Sequence, residues 1–260
     1  MVVSADNLRD TVALVTGSAH RLGSAIAARL AAAGCDIVVH YGGSKSEAEA
    51  TALRIRRAHA VQTWALQADL ADPASIDRLF EAVAATCGRL DVLVNSASSF
   101  VGAPLSEVDA SAWDRVQAVN VRAPHLCIRR AAPLLEAAAA DRGTAAVINV
   151  ADLSGVVPWR DFGAHGVSKA GLLHLTRCAA LEMAPRVRVN AVVPGAILPP
   201  PGETADSAAW RAIGERMPLG RPGRPEDIGD AVAFLAAAQF VTGEILFVDG
   251  GEHLFGSTKR

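Results

Sequence analysis

The segment Val12-Ala-Leu-Val-Thr-Gly-Ser-Ala-His-Arg-Leu-Gly23, with the alanine-rich stretch that follows it to Gly34, decides the fold of this chain. Its first four residues are apolar and predict a short buried strand. The glycines at positions 17 and 23 predict a tight turn, and apolar residues then recur at helical spacing until Gly34, a C-terminal stop signal. The segment therefore predicts a strand, a glycine-bearing turn and a helix in direct succession.

A turn of this kind can bind a phosphate group. The first N–H groups of a helix have no partner within it, and the helix dipole favours negative charge there. Gly17 would allow a tight turn, and Gly23 would let a pyrophosphate approach the backbone closely. An ordinary strand–helix turn is the alternative interpretation. The candidate cofactor-binding residues of the turn are Gly17, His20, Arg21, Leu22 and Gly23.

Strands and helices alternate along the rest of the chain. Short apolar runs predict six more strands, at residues 36–40, 61–66, 90–94, 145–150, 187–193 and 244–248. Helices are predicted at about 44–59, from Pro73 onward, and at about 111–140, 162–184 and 225–238. Apolar strands alternating with helices predict a doubly wound parallel α/β sheet of Rossmann type, forming one domain over residues 1–260. The Pro- and Gly-rich residues 195–224 are interpreted as a lid over the site.

Composition narrows the class of function. The 260 residues carry a net charge of −2 with acids and bases interspersed, so nucleic acid and anionic membranes are not expected as partners. The four isolated cysteines do not have the spacing of metal ligands, and they are interpreted as free thiols in a reducing compartment. The sequence shows neither a signal peptide nor an apolar run long enough for a bilayer. A cytoplasmic protein acting on a small molecule is expected, with no metal site.

Several motifs, in the right order, carry a resemblance over essentially the whole chain. They are Thr16-Gly17-x-x-x-Arg21-x-Gly23, Asp69-Leu70, Asn95-Ser-Ala97-Ser, Val119-Asn120-Val, Pro194-Gly195 and the closing stretch from Glu244 to Gly251. Together they resemble the short-chain dehydrogenase/reductase family. The resemblance implies a nicotinamide cofactor and a homotetramer or homodimer. It also implies that Asp69 and Leu70 hold the adenine, that Asn95, Ala97, Pro194 and Gly195 bind the cofactor, and that Asn120 is catalytic.

Three details resemble the pteridine reductase branch of that family. Arg21 replaces the usual middle glycine, Asn95 to Phe100 reads Asn-x-Ala-Ser-Ser-Phe, and Asp152 replaces the usual catalytic serine. In that branch the Phe stacks a pterin against the nicotinamide. The resemblance implies a pterin-like substrate with a C=N bond. Ser99, Phe100 and Trp159 are the candidate substrate-binding residues, Trp159 because it would line the substrate side.

The catalytic motif departs from the family at one position. The family's Tyr-x-x-x-Lys is His165-Gly-Val-Ser-Lys169 here, and the chain's one tyrosine, Tyr41, follows the second strand. Lys169 shares a helix face with His165 and would hold the nicotinamide ribose. We hypothesise that Asp152 and His165 form a coupled acid pair that gives the substrate a proton while NADPH gives hydride. A ring C=N is more basic than a ketone and needs a weaker acid.

The residues after the second strand bear on the choice of cofactor. NAD-specific folds usually place an acid there, whereas this chain reads His40-Tyr41-Gly-Gly-Ser44-Lys45 and has no acid before Glu47. Arg21, Ser44 and Lys45 could surround a 2′-phosphate, although the pterin branch would carry an Arg at position 43. The sequence therefore favours NADPH over NADH, with His40, Tyr41 and Ser44 as further cofactor-binding candidates.

Two other functions remain open on this sequence. The protein could reduce a carbonyl compound with His165 as proton donor. It could also be an NADP(H)-binding protein that has lost catalysis and works as a sensor or partner subunit. Turnover separates the last alternative from the two reductases.

Overall fold

The computed structural model describes residues 8–200 and 202–259, with backbone only for residues 256–259. These residues form one seven-stranded sheet, and each pair of neighbouring strands is parallel. The strands are β1 (Val12–Val15), β2 (Asp36–Tyr41), β3 (Thr63–Gln67), β4 (Val92–Asn95), β5 (Ala145–Val150), β6 (Val187–Pro194) and β7 (Ile245–Val248). Their order across the sheet is β3-β2-β1-β4-β5-β6-β7. The prediction of a doubly wound parallel sheet is confirmed.

Helices cover both faces of the sheet. They are α1 (Arg21–Ala32), α2 (Lys45–Ala58), α3 (Pro73–Cys87), α4 (Ala110–Gln117), α5 (Ala123–Arg142), α6 (Gly163–Met183), α7 (Ala208–Glu215) and α8 (Pro225–Ala237). Short 3₁₀ turns cover Leu153–Gly155 and Glu252–Lys259. The long helix predicted over about 111–140 is present, and it contains a π-helical turn at Ala118–Arg122, where α4 continues into α5. Residues 195–224 are also not wholly irregular, since they contain α7.

The first strand shows why the sheet needs helices on both sides. All four of its residues are buried. Ala13 and Val15 belong to the apolar cluster that packs against α1 and α8, whereas Val12 and Leu14 belong to the cluster that packs against α3 and α5. Successive side chains of a strand point to opposite faces, so a short run of apolar residues serves two cores.

The strand order places a crevice beyond the carboxyl ends of the central strands. β1 lies between β2 and β4, so the chain reverses its direction of progress across the sheet at this point. In such sheets ligands bind beyond the carboxyl ends of the strands where the order reverses. The turn after β1 and the loop after β4 meet there.

Among the helices of residues 8–200 and 202–259, none has both the length and the apolar character needed to cross a membrane. The same residues hold no cluster of His, Cys, Asp and Glu side chains with metal-binding geometry.

Candidate active site

The turn after β1 is built around two glycines. Gly17 has a positive φ of 67°, and a Cβ placed on it would lie 2.9 Å from the Cα of Ala97. A Cβ on Gly23 would lie 2.4 Å from the carbonyl oxygen of Gly17. Gly23 is therefore needed so that α1 can pack against its own turn. Its role beside a pyrophosphate stays a prediction. Gly17 has the predicted role of permitting the tight turn.

His40 lies beneath this turn. Its imidazole is buried, its Nδ1 accepts a hydrogen bond from the N–H of Gly17 at 3.0 Å, and its Nε2 lies 3.2 Å from the carbonyl oxygen of Ala68. Burial lowers the pKa of His40 to about 4, although the bond to Ala68 opposes this shift. The ring is therefore neutral with its proton on Nε2, and it supports the turn from below.

The start of α1 offers N–H groups at the crevice. The N–H groups of Gly17 and Ser18 are bonded to His40, through its Nδ1 and its carbonyl oxygen. Those of Arg21, Leu22 and Gly23 belong to the first helical turn, before Ser24 N–H bonds to the His20 carbonyl at 3.3 Å. The first N–H groups of a helix have no carbonyl partner within it, which is the general basis of anion binding at such a position.

Arg21 connects the turn to the segment after β6. Its φ of 51° lies in the left-handed region, and its exposed guanidinium donates from Nη2 to the carbonyl oxygen of Pro199 at 3.3 Å. His20, the residue before it, is exposed. The side chain of Arg21 thus lies between the cofactor turn and the start of the predicted lid.

The residues after β2 and β3 flank the turn on its other side. Ser44 directly precedes α2, and among the described contacts its side chain makes no capping hydrogen bond. No described heavy atom lies within 4 Å of a Cβ placed on Gly43. Tyr41, at the end of β2, is half-buried. The segment from Tyr41 to Ser44 therefore forms the rim of the crevice on this side, and there is open space beside Gly43.

Asp69 and Leu70 follow β3. The side chain of Asp69 accepts from the N–H of Ala71 at 2.9 Å, and its own N–H donates to the hydroxyl of Ser75 at 3.0 Å. Leu70 is buried. The loop is thereby fixed next to Ala68, the residue that contacts His40.

Asn95 ends β4, but its side chain is directed along the sheet. It donates to Oδ1 of Asn149 at 2.9 Å, and Asn149 donates to the hydroxyl of Thr176 at 2.9 Å. All three residues are buried. Asn95 thus anchors the end of β4 to β5 and α6. Sequence reasoning did not identify Asn149 and Thr176, since they lie 54 and 81 positions further along the chain.

Thr16 holds the loop after β4 against the cofactor turn. Its hydroxyl oxygen accepts from the N–H groups of Ser96 at 2.9 Å and Ala97 at 3.0 Å. Ala97 in turn contacts Gly17. These contacts bring the predicted cofactor residues Gly17 and Ala97 together.

Asn120 sits in the π-helical turn and clamps the backbone of Ser99. Its Oδ1 accepts from the N–H of Ser99 at 2.7 Å, and its Nδ2 donates to the Ser99 carbonyl at 2.9 Å. Nδ2 also donates to the hydroxyl of Ser168 at 2.9 Å. A buried amide thus joins the loop after β4 to α6.

Asp152, His165 and Lys169 come together as predicted. The Nε2 of His165 lies 2.5 Å from Oδ2 of Asp152. Oδ1 of Asp152 accepts from the N–H of Ser154 at 2.9 Å and from the Ser154 hydroxyl. The Nζ of Lys169 donates to the carbonyl of Val150 at 3.0 Å. The end of β5 and the first turns of α6 therefore supply a carboxylate, an imidazole and an ammonium group.

The charges of this group depend on one another. Burial alone would raise the pKa of Asp152, but the hydrogen bond with His165 and the charge of Lys169 outweigh it and hold that pKa below its ordinary value. Burial lowers the pKa of Lys169, and the carboxylate of Asp152 opposes this shift. The carboxylate of Asp152 therefore interacts with both the imidazole of His165 and the ammonium group of Lys169.

Phe100 presents an aromatic surface at the same edge. Its side chain is 58% exposed, its ring centroid lies 4.6 Å from that of His165, and the two rings meet edge to face at 70°. Phe162 supports it at 4.8 Å, and Trp159 lies 6.3 Å from Phe162.

Pro194 and Gly195 close the site at the end of β6. A Cβ on Gly195 would lie 2.7 Å from the Cβ of Asp249, so Gly195 is needed for the turn after β7 to approach. Asp249 is buried and accepts from the N–H groups of Gly251 and His253. The predicted residues of strand ends β1 to β6 therefore lie along one edge.

Known proteins share this architecture. A family model described as enoyl-(acyl carrier protein) reductase matches residues 17–253, which is most of the chain. The chain belongs to the short-chain dehydrogenase/reductase family. It is thus an oxidoreductase by family.

Two curated members of the short-chain dehydrogenase/reductase family are similar over nearly their full length. The cis-4-hydroxycyclohexanecarboxylate dehydrogenase of Sinomonas cyclohexanicum is 39% identical, over 93% of this chain and 96% of its own. The 3beta-hydroxysteroid dehydrogenase 1 of Eggerthella lenta is 36% identical, over 96% of each chain. A solved structure, a blue fluorescent protein from a metagenomic library in complex with NADPH, superposes with a TM-score of 0.85 at 34% identity, covering 95% of this chain and 99% of that one.

Proposed function

We propose that this protein is an NADPH-dependent reductase of a pterin-like ring, with the reduced bond a ring C=N and the proton drawn from Asp152 and His165. The observation that carries the proposal is the exposed ring of Phe100, which lies edge-on against His165 beside the acid pair. An exposed aromatic face suits a flat conjugated substrate, because offset stacking stabilises such pairs by about 0.5–1.5 kcal/mol beyond burial.

The crevice fits a nicotinamide dinucleotide. The N–H groups at Arg21, Leu22 and Gly23 would bind its pyrophosphate. The other holding residues would be Asp69 and Leu70 at the adenine, Lys169 at the nicotinamide ribose, and Ala97, Pro194 and Gly195 at the nicotinamide. Asn95 and His40 would support these residues from below. When bound, the reduced nicotinamide supplies hydride.

We propose NADPH rather than NADH as the cofactor because of the positive charges next to Ser44. Arg21 is exposed at the turn, and Lys45 begins α2 with its Nζ 3.8 Å from Glu49 in an exposed pair. An exposed pair of this kind contributes little stability, so Lys45 can turn toward a phosphate at small cost. Ser44 and Tyr41 complete the rim. Titration calorimetry with both cofactors tests this choice, and a tighter dissociation constant for NADH would reverse it.

A weaker acid than tyrosine suffices for the proposed substrate. The nitrogen of a ring C=N is more basic than a ketone oxygen, so proton transfer to it has a larger driving force. The site holds a carboxyl and an imidazole where the family motif has Ser and Tyr. Reduction of a C=N bond is thus the reaction that this pair supports best.

Reduction of a carbonyl compound is the second candidate. It is favoured by the names of the two similar dehydrogenases, which denote a hydroxysteroid and a hydroxycyclohexanecarboxylate as their substrates. Both candidates share the crevice and the acid pair. They differ in the atom that receives the proton.

Substrate specificity is tested by NADPH oxidation with dihydrobiopterin, dihydrofolate and a panel of cyclic ketones. We expect the dihydropterins to be turned over faster than every ketone. A ketone turned over at a comparable or faster rate would favour the second candidate. NADPH binding without oxidation by any compound would indicate a binding protein that has lost catalysis.

The segment 195–224 is proposed to act as the lid of the single 1–260 domain. It begins at Gly195, contacts Arg21 through Pro199, and contains α7, whose N-terminus is capped by the Ser207 hydroxyl at 3.1 Å from the Trp210 nitrogen. Limited proteolysis with and without NADPH tests this, and unchanged cleavage within the segment would argue against it.

The enzyme is proposed to be a cytoplasmic homotetramer or homodimer with a small-molecule substrate. The free thiols Cys35, Cys87, Cys127 and Cys178 support a reducing compartment. Large exposed apolar side chains on α6 and α8 support self-association.

A further inference from the structure

The hydrogen bonds around Asn120 restrict the protons of the neighbouring histidine. The amide nitrogen of Asn120 carries two hydrogens, and it donates to the Ser99 carbonyl and to the Ser168 hydroxyl, both at 2.9 Å. It also lies 3.4 Å from Nδ1 of His165. With both hydrogens used, it has none left for that nitrogen.

His165 Nδ1 is thereby left facing an acceptor. The Ser99 carbonyl oxygen lies 3.2 Å from it. A carbonyl cannot donate, so this contact is a hydrogen bond only if Nδ1 carries a proton. The Ser99 carbonyl cannot readily move away, because Asn120 also holds the Ser99 N–H at 2.7 Å.

The other ring nitrogen shares a proton with Asp152. Nε2 is hydrogen-bonded to Oδ2, and a hydrogen bond between these two atoms contains one proton. The pair then has two arrangements of equal total charge, imidazolium with carboxylate or imidazole with carboxylic acid. One proton can leave the pair without disturbing Nδ1.

The two partners differ in access to the crevice. The side chain of Asp152 is 20% exposed, whereas that of His165 is 1% exposed and covered by Phe100 and the Ser99 loop. Only the carboxyl group can touch a substrate without a rearrangement of α6. Lys169 faces the same carboxylate and favours its charged form after the proton has left.

We propose that Asp152 is the group that hands the proton to the substrate, and that His165 is a buried positioning residue that shares this proton with Asp152, oriented by the Ser99 carbonyl and Asn120. This inference rests on the proposed function, since it concerns the proton of the same reduction. The substrate carbon gains hydride, and its nitrogen or oxygen gains the proton from Asp152 Oδ2. The proton between Oδ2 and Nε2 is the one consumed, which leaves a carboxylate and a neutral Nδ1–H imidazole. Solvent then returns one proton to the carboxylate, which is 20% exposed.

The orientation of His165 is tested in the absence of cofactor by NMR of protein with ¹⁵N-labelled histidine. The His165→Phe variant identifies the His165 signals among those of the seven histidines. We expect Nδ1 of His165 to have the chemical shift of a protonated nitrogen under all conditions in which the protein is folded. Asn120→Ala frees the Ser99 carbonyl, and it should weaken this preference. An unprotonated Nδ1 in the unmodified protein would overturn the proposed orientation.

The identity of the donor is tested by NADPH oxidation with the best substrate. We expect Asp152→Asn to lower kcat by about 100-fold or more, and His165→Phe to lower it by about tenfold. Added formate should restore part of the rate of Asp152→Gly, because the carboxyl site opens to solvent. Melting temperature and NADPH affinity serve as controls for folding.

Each failure has its own signature. An Asp152→Asn variant with unchanged kcat, beside an inactive His165→Phe variant, would overturn the inference and leave the proposed reductase standing. Ketones as the best substrates, with the same order of variants, would overturn the pterin assignment and leave the proton route standing. If none of the tested compounds caused oxidation of NADPH, both the inference and the proposed function would be overturned.

Discussion

At the scale of single residues, the site is decided by which group stands four positions before Lys169. An imidazole at position 165 has two polar atoms, and the structure engages both of them, one with Asp152 and one with the Ser99 carbonyl. A tyrosine has a single hydroxyl and would leave one of these partners without its bond. Position 165 thus determines how Asp152 is used.

Replacement of His165 by tyrosine tests this at the substrate level. A phenol is the family's usual donor in this motif, so His165→Tyr should favour substrates that need a stronger acid. We expect the ratio of ketone to dihydropterin turnover to rise by about tenfold. Steady-state rates on both substrates measure the ratio, and an unchanged ratio would contradict the prediction.

A flat ring at position 100 is expected to matter more than its apolar volume. Phe100→Leu keeps much of the apolar side chain but removes the stacking face, and it should lower kcat/KM for a dihydropterin by about tenfold. Phe100→Tyr keeps the face and should retain most of the activity. Equal losses in the two variants would show that stacking is not the contact being made.

His40, beneath the turn after β1, is expected to make the stability of the fold depend on pH. Its pKa of about 4 in the folded protein lies below the ordinary value of 6.5, so the unfolded chain binds more protons between these values. The stability that this residue contributes is complete above about pH 6.5 and is lost as the pH falls toward 4. At pH 4.5 the loss should be roughly 2–3 kcal/mol.

Urea unfolding at pH 7 and pH 4.5 checks this expectation. His40→Asn keeps an acceptor near the Gly17 N–H and removes the titrating ring. The difference in unfolding free energy between the two pH values should be smaller in this variant than in the unmodified protein. The same difference in both proteins would show that other groups cause the acid sensitivity.

At the scale of elements, the strand–turn–helix unit from β1 to α1 follows closely from its own sequence. The apolar run, the two glycines and the helical periodicity are local signals, and the structure confirms the elements they predict. Contacts between distant segments were not predictable in this way. Three features depend on positions that residues take only in the folded chain. They are the packing of Gly23 on the Gly17 carbonyl, the hydrogen bond from the turn to His40, and the π-helical turn between α4 and α5. The family could be inferred from ordered motifs, whereas the contact of His165 with the Ser99 carbonyl could not, because these groups are brought together only by the fold.

The open position at Gly43 offers a gain-of-affinity test on the element between β2 and α2. No described heavy atom lies within 4 Å of a Cβ placed there, so Gly43→Arg should fit without distorting the loop. A guanidinium beside Arg21 and Ser44 should strengthen NADPH binding by about tenfold through charge-assisted bonds and leave NADH binding unchanged. Calorimetry measures both affinities.

The matched control is Gly43→Ala, which adds a Cβ without charge. It should leave both affinities and the melting temperature as they are. An equal gain for NADH in Gly43→Arg would mean that the new group contacts a part common to both cofactors.

At the scale of the whole molecule, three large apolar side chains are exposed in or just after α6 and α8. Leu181 is 82% exposed at the end of α6, and Phe234 and Phe240 are 44% and 104% exposed in and after α8. Contact surfaces between subunits are formed by exposed apolar groups that lie together. We therefore propose that subunits associate through these two helices.

Phe240→Glu tests the association. A charge at this position should shift the protein to a smaller species in size-exclusion chromatography with light scattering, because it would be desolvated in a subunit contact. The control is Leu53→Glu in α2, on the opposite side of the sheet, which should leave the mass unchanged. A Phe240→Glu variant of unchanged mass would place the contact elsewhere.

The π-helical turn at Ala118–Arg122 has a consequence for how such a site can be gained or lost. In a turn of this kind the backbone hydrogen bonds span five residues rather than four, so the turn holds one residue more than the regular helix on either side. Deleting one residue there would let α4 run smoothly into α5 and would rotate the amide of Asn120 by roughly 100° around the axis. This single deletion would remove the hydrogen bonds between Asn120 and the backbone of Ser99, although no neighbouring residue had been replaced.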